Sequence, residues 1–150
     1  MGHTLSDLLV HVIFSTKDRQ PTITADFRPR LYEYMAGVAK KEIGVALRIG
    51  GTADHIHGLL AIRPEVSVAE AMRKWKALSS KWIHATFPAS RSFGWQAGYG
   101  AFTVSRSVAP RVIEYIDDQE EHHKTVTFQE EFLAFLKRHR IEYDPRFIWN

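Results

Sequence analysis

Two histidines flank one isoleucine at residues 55–57, within the stretch ADHIHGLL. Successive side chains of a strand point to opposite faces, so His55 and His57 would lie side by side on one face of a sheet. Two neutral imidazoles at this spacing can ligate one divalent ion. Alone, the pattern is more typical of two half-exposed polar residues, and no cysteine is present to complete a closed zinc site.

A tyrosine and a glutamine are four residues apart in VIEYIDDQEEHH. On a helix Tyr115 and Gln119 share one face, beside the apolar arc that contains Ile116. Gln119 could then touch an ion while Tyr115 directs its hydroxyl at a substrate. By itself this helix favours a simpler interpretation, with a tyrosine at the edge of the core and a solvent-facing glutamine.

The neighbouring polar residues are given structural interpretations. The histidines of HHK (122–124) are interpreted as a solvated helix end, and Asp54 is expected to face away from His55 or to make the turn.

Basic side chains are candidates for contacts with nucleic-acid phosphates. They are also typical of the solvated side of an amphipathic helix, and Trp75 and Trp82 in the same helix are interpreted as core. The candidates are Lys17, Arg63, Arg73, Lys74, Lys76, Lys81 and Arg106.

The composition is that of one soluble globular domain over residues 1–150. The formal net charge of +3 permits a nucleic-acid partner without requiring one. The absence of cysteine suits a reducing cytoplasm, and no apolar run is long enough to span a bilayer. We therefore expect a cytoplasmic protein with no membrane association.

Apolar periodicity and turn residues predict four strands and four helices. The strands are expected at 7–17, 45–52, 55–62 and 99–105, and the helices from Asp26 or Pro29 to Glu42, at 67–87, at 109–123 and from Thr127 onward. Capping boxes are expected at Ser67 with Glu70 and at Thr127 with Glu130. This order is the split βαβ pattern of an α+β, ferredoxin-like antiparallel sheet with helices packed on one face, followed by the tyrosine helix and a tail helix.

The chain resembles the single-tyrosine HUH transposases of small bacterial insertion sequences, including their repeat-associated relatives. HUH denotes histidine, a bulky hydrophobic residue and histidine, which His55-Ile56-His57 fits. The Y-x-x-x-Q pattern follows on a helix, with Tyr115 lying 58 residues after His57. The flanking matches are HVIFSTKDRQP, KWKALSSKWI, WQAGYGAFTVS and FQEEFLAFLKRHRIEYDPRFIW.

The resemblance implies that Tyr115 is the nucleophile and that His55, His57 and Gln119 are metal ligands. It implies cleavage of single-stranded DNA at insertion-sequence ends through a 5′-phosphotyrosine link, and later rejoining by the freed 3′-OH. The implied cofactor is Mg²⁺ or Mn²⁺, without a nucleotide cofactor. The implied partners are single-stranded DNA with hairpins at the element ends and a second copy of the chain in a homodimer, with the protein nucleoid-associated through DNA.

Two alternatives remain open at this stage. One is a domesticated or non-cutting module that binds single-stranded DNA or an RNA hairpin. The other is a phosphoesterase with two H-x-[ST] motifs, which fits poorly because the chain has one H-x-H followed by Gly58. The sequence leaves open the cleaved DNA sequence and whether Tyr115 acts in its own subunit or in a partner.

Overall fold

A computed structural model describes residues 2–150. The strands are β1 (Leu9–Ser15), β2 (Gly44–Gly51), β3 (His55–Ile62) and β4 (Gly100–Val104). The helices are α1 (Arg28–Glu42), α2 (Val68–Thr86), α3 (Ala109–Asp117), α4 (Gln119–His122) and α5 (Phe128–Arg138). No helix in residues 2–150 is long and apolar enough to cross a membrane.

The four strands form one antiparallel sheet in the order β2-β3-β1-β4. The two central strands are β1 and β3, and they pair with Ile13 opposite His57 and Ser15 opposite His55. The predicted α+β fold is therefore confirmed, and the two histidines lie on a central strand rather than at a sheet edge.

The two faces of β3 pack against different helices. Ile56 and Leu60 belong to the core formed with α1 and α2, while His55, His57 and Leu59 face the opposite side. Gly58 lies on the α2 side, where a Cβ atom would come within 2.6 Å of the Trp75 ring. The glycine is therefore required by the close approach of the buried indole to the strand.

The C-terminal helices cover the face of the sheet that carries the histidines. Apolar residues of α5 form a core with Ile13 and Phe102, and Ile116 of α3 packs on Leu9 and Leu59. The contributing residues of α5 are Phe128, Phe132, Phe135 and Leu136. The histidine face is thus buried beneath helices, and the candidate site lies between two layers.

The tyrosine helix differs from the single helix predicted at 109–123. It is broken at Asp118, whose φ of −95° and ψ of 15° separate α3 from α4. Two successive aspartates at the carboxyl end of α3 explain the break, because aspartate has low helix propensity and is unfavourable at the negative end of the helix dipole. Gln119 therefore begins a new turn.

The two predicted capping boxes have different outcomes. Thr127 and Glu130 form the complete reciprocal pair at the start of α5. At α2 the Ser67 side chain accepts a hydrogen bond from the Glu70 backbone N–H, but the Glu70 carboxylate pairs with Arg73. The second box is therefore only half formed, because an arginine three residues along the helix binds the carboxylate instead.

Candidate active site

Four metal-ligating side chains converge beneath α4 and α5. One nitrogen or oxygen from each of His55, His57, His123 and Glu131 lies within 4.8 Å of all the others. His55 and His57 are fully buried, and Glu131 is 3% exposed. The paired histidines of β3 are therefore part of a larger buried cluster rather than a solvent-facing pair.

The Glu131 carboxylate is the common point of the cluster. Its Oε1 lies 2.9 Å from Nε2 of His57, 3.1 Å from Nε2 of His123 and 3.5 Å from Nε2 of His55. Ligand atoms that share a tetrahedral ion with bonds of about 2.0–2.1 Å are themselves separated by about 3.4 Å. The spacing of these groups is therefore close to that of a metal-ligand set.

Two polar atoms of the cluster indicate an ion rather than a closed hydrogen-bond network. Within residues 2–150, the buried Nε2 of His123 lies 3.1 Å from Glu131 Oε1 but makes no hydrogen bond of good geometry. Gln119 Oε1 lies 3.0 Å from Nε2 of His55, and its amide nitrogen donates to the Tyr115 carbonyl. When His55 donates through Nδ1, its Nε2 presents a lone pair to the amide oxygen. Two facing electron-pair donors suit a cation that both can bind, so the residues fit a divalent ion.

Hydrogen bonds on the far side of each imidazole orient the paired histidines. Nδ1 of His55 lies 2.7 Å from Asp54 Oδ1 and 3.0 Å from the Thr52 hydroxyl. Nδ1 of His57 lies 2.8 Å from Nε2 of His11. Such outer partners fix the ring orientation and tautomer of metal-binding histidines. Asp54 makes the turn before β3, which was one of the two placements expected for it.

Tyr115 lies at the edge of this cluster. Its hydroxyl donates to Glu131 Oε2 and lies 3.4 Å from Nε2 of His122. The phenol ring is 5.7 Å from the His57 ring, centroid to centroid. Burial and the hydrogen bond to Glu131 raise the pKa of Tyr115 above its ordinary value. The phenol is therefore protonated in this arrangement, with a carboxylate oxygen placed to receive its proton.

The charge states of His57 and Glu131 match those that metal binding requires. Burial lowers the pKa of His57 to about 4 and, with the nearby charge of His57, lowers that of His11 to about 3. Burial would raise the pKa of Glu131, but the adjacent His123 imidazole and the hydrogen bonds from His57 and Tyr115 keep that pKa well below its usual range. Neutral imidazoles and an ionised carboxylate are the forms that ligate a cation. For His123 the nearby Glu131 carboxylate outweighs burial and raises the pKa, so this imidazole must lose a proton before it can bind an ion.

The basic residues predicted to contact DNA lie in several different environments. Most of them are held by partners in the same chain: Arg63 by Glu65, Arg73 by Glu70, Lys74 by Glu42 and Glu70, and Arg106 by Asp7. Lys76 donates to the carbonyls of Gln96, Ala97 and Gly98. Within residues 2–150, Lys17 and Lys81 have no ion pair. Trp75 is fully buried and donates its indole N–H to Met35 O, as expected for core.

Sequence reasoning missed two members of the cluster. The His123 side chain is 9% exposed, because α5 folds back over the end of α4, so the interpretation of HHK as a solvated helix end is wrong for this residue. Glu131 was not singled out. The available signal was its position on the apolar face of α5, three residues after Phe128, where a carboxylate requires a buried partner.

Comparisons with known proteins agree on one family. The sequence profile described as "Transposase IS200 like" matches residues 4–119. The transposase for insertion sequence element IS200 of Salmonella typhimurium is 28% identical over 130 residues, covering 83% of this chain and 84% of that protein. The ISDra2 transposase TnpA of Deinococcus radiodurans is 21% identical over 116 residues, covering 74% of this chain and 83% of that protein.

Solved structures share the fold. A transposase candidate from Deinococcus radiodurans superimposes with a TM-score of 0.65 at 21% identity, covering 79% of this chain and 96% of that one. A REP-associated tyrosine transposase bound to a REP hairpin gives a TM-score of 0.59 at 12% identity, covering 84% of this chain and 74% of that one. The profile match includes His55, His57, Tyr115 and Gln119 and ends before His123 and Glu131. The chain therefore belongs to the family of IS200-like transposases.

Proposed function

We propose that this chain is a single-stranded DNA transposase that cuts and rejoins strands through a covalent link to Tyr115. The observation that carries the proposal is the position of Glu131, whose two oxygens connect the nucleophile to the metal-binding cluster. Oε1 lies among the histidines, and Oε2 accepts the hydrogen bond of the Tyr115 hydroxyl. A protonated tyrosine is a poor nucleophile at neutral pH, so its activation is the requirement that the site must meet.

The first step joins Tyr115 to the strand. The phenol oxygen attacks the scissile phosphorus while its proton passes to Glu131 Oε2. The bond from phosphorus to the 3′ oxygen breaks, and that oxygen takes a proton from solvent to become a free 3′-OH. The product is a 5′-phosphotyrosine. In the second step a 3′-OH attacks the same phosphorus and loses its proton to solvent, and the released Tyr115 oxygen takes back the proton held by Glu131. The phosphodiester bond is thus conserved, and no nucleotide cofactor is needed.

The ion that we propose for this site is Mn²⁺ or Mg²⁺. His55, His57 and Gln119 would hold it as neutral ligands, with His123 and Glu131 as further donors from the same cluster. When bound, the cation stabilises negative charge on the phosphate and on the departing oxygen. Imidazole is a better ligand for Mn²⁺ than for Mg²⁺, so this donor set favours manganese.

The proposed substrate is a single strand with a hairpin near the cleavage point. It is supported by the REP-associated tyrosine transposase, which has a similar fold and whose structure is that of a complex with a REP hairpin.

Tyr115, His57 and Glu131 meet within one chain, which supports attack by the tyrosine of the same subunit. The homodimer concerns a second chain and stays a prediction. The seven basic residues remain proposed DNA contacts. Among them, Lys17 and Lys81 have no ion pair within residues 2–150.

A covalent adduct assay tests this function. The wild-type protein is incubated with single-stranded oligonucleotides from both strands of the DNA flanking its gene, with Mn²⁺ or with EDTA, and resolved on a denaturing gel. We expect a shifted protein–DNA band only with Mn²⁺, its loss in Tyr115→Phe and its retention in the control Tyr143→Phe, which changes an exposed tyrosine. Binding of these strands with no adduct under any condition would instead support a non-cutting DNA-binding protein.

A further inference from the structure

Two openings lead from the surface toward the buried cluster, and they differ in charge. One is a recess of about 590 Å³ on the His123 side, where Asp54 and Glu120 contribute carboxylates. Its arginine, Arg28, is paired with Glu120 at 2.6 Å. The other is a recess of about 240 Å³ lined by Tyr115 itself. A phosphate backbone would be repelled at the first opening, so the charge distribution favours the second.

The recess beside Tyr115 has apolar walls and a cationic rim. Val108, Val112, Phe135 and the Tyr115 ring form the walls, and Arg111 and Arg138 lie at the rim. Within residues 2–150, neither arginine has an ion pair or a hydrogen bond from its side chain. By contrast, Arg48, Arg63 and Arg73 are each paired with a carboxylate. The two charges beside the nucleophile are therefore available to a ligand.

The Arg138 guanidinium is held in place by an aromatic ring. Its Cζ lies 5.4 Å from the centroid of Phe135, which is itself a wall of the recess. Phe135 packs edge-on against Tyr115 with ring centroids 5.8 Å apart. The stacked cation, the apolar wall and the nucleophile thus form one continuous surface. Its volume is below the range of about 300–1,000 Å³ that is usual for pockets of drug-sized ligands, which suits one nucleobase rather than two.

We infer that this recess binds one nucleotide of the single strand next to the scissile phosphate, with its base against Val108 and Val112 and its phosphates on Arg111 and Arg138. Contacts to the bases combined with cations along the backbone are the usual means of holding single strands without sequence readout. The inference rests on the proposed function, because it takes Tyr115 as the nucleophile. It adds to that function the direction from which the strand reaches the tyrosine.

Binding in the absence of metal separates this inference from the cleavage chemistry. Fluorescence anisotropy in EDTA measures the affinity of the protein for a labelled thymidine oligonucleotide of twelve nucleotides across a range of salt concentrations. The slope of log K against log salt is negative, and each lost phosphate contact makes it about 0.7 less steep, equivalent to about fivefold weaker binding at 0.1 M salt. We expect this change for Arg111→Gln and for Arg138→Gln, and about twice the change in slope for the double variant.

Matched controls come from the carboxyl end of α5, beside Arg138. Lys137→Gln and Arg140→Gln remove the same charge within two residues of Arg138 but do not line the recess. They are expected to keep the wild-type slope. For the base, a twelve-residue abasic strand of equal charge is expected to bind wild-type protein about 5- to 100-fold more weakly than the thymidine strand. Equal binding of the two strands would overturn placement of a base in the recess.

The two proposals fail in different ways. Wild-type affinity and salt slope in both arginine variants, together with normal adduct formation by wild-type protein in Mn²⁺, would overturn the recess and leave the transposase function in place. Weakened binding in the arginine variants without any adduct from wild-type protein would support the recess as a strand-binding site and overturn the cleavage.

Discussion

His11 and His57 are joined through their ring nitrogens, with Nε2 of His11 2.8 Å from Nδ1 of His57, although they lie on neighbouring strands 46 residues apart in sequence. Both rings are buried. When Nε2 of His57 binds an ion, its Nδ1 carries the proton and donates it to His11. In the proposed metal site His11 would therefore be a positioning residue that holds His57 in the tautomer required of a ligand.

Replacing His11 should weaken metal binding without removing a ligand. His11→Leu leaves the Nδ1–H of His57 buried without an acceptor, and we expect the Mn²⁺ affinity to fall about 10- to 100-fold, as is usual for outer partners of metal ligands. Isothermal titration calorimetry measures the change. His11→Gln supplies an acceptor again and should recover most of the affinity, while His84→Gln, which removes a histidine bound to Phe93 O, should have no effect. Wild-type affinity in His11→Leu would contradict the positioning role.

Glu131 should contribute directly to metal binding. At a free Mn²⁺ concentration 100 times its Kd, the ion should stabilise the wild-type fold by about 2.7 kcal/mol. Glu131→Gln keeps the shape of the side chain and removes its charge, so most of this stabilisation should be lost. The control Glu121→Gln changes an exposed carboxylate paired only with Lys124. Thermal unfolding with and without Mn²⁺ provides the measurement, and an equal Mn²⁺-dependent rise in Tm for Glu131→Gln and wild type would exclude Glu131 as a ligand.

Gly58 should tolerate no side chain. An added Cβ would lie 2.6 Å from Cη2 and 3.0 Å from Cζ3 of the buried Trp75 ring, so the strand or the indole must move. We expect Gly58→Ala to lower the free energy of unfolding by about 1–3 kcal/mol, the usual cost of overpacking a core. Gly37→Ala is the matched control, because its Cβ meets nothing within 4 Å and it lies inside α1, where alanine should add about 0.5–1 kcal/mol. Urea denaturation should show a lower free energy of unfolding for Gly58→Ala and a higher one for Gly37→Ala.

Lys76 should contribute to the stability of the fold, whether or not it also contacts DNA. Its ammonium group donates to three carbonyls, those of Gln96, Ala97 and Gly98, at 2.6–3.0 Å. Lys76→Met removes all three bonds, and we expect a loss of about 1–3 kcal/mol. Lys81→Met, on an exposed position of the same helix, should change stability by less than about 0.5 kcal/mol. Similar unfolding midpoints for the two variants in urea would show that the three bonds contribute little.

The sequence was sufficient to predict the four strands and most of the helices, but not the break in the tyrosine helix. The strand at 55–62 was predicted with its observed bounds, because alternation and a flanking turn specify it. The histidines were placed on one face by strand parity alone. Helical spacing placed Tyr115 and Gln119 on one face of their helix, and the family resemblance placed that face beside the histidines. The break at Asp118 altered the backbone without separating Gln119 from His55.

The remaining cluster members could not be predicted because they depend on how α5 folds back. His123 and Glu131 are eight residues apart across a turn, and neither strand nor helix periodicity brings them together. Only the packing of Phe128 and Phe132 on the sheet carries Glu131 to the histidines. Hydrophobic spacing identified α5 as amphipathic, but it did not indicate the face of the sheet that the helix covers.

Tyr115 is expected to become the point of covalent attachment to DNA. The direct measurement is tandem mass spectrometry of the protein after reaction with single-stranded flanking DNA and Mn²⁺, followed by nuclease and protease digestion. We expect a nucleotide joined through its 5′ phosphate to the peptide that contains Tyr115, and no modified peptide from Tyr115→Phe. A nucleotide on any other residue, or an undiminished adduct in Tyr115→Phe, would contradict this expectation.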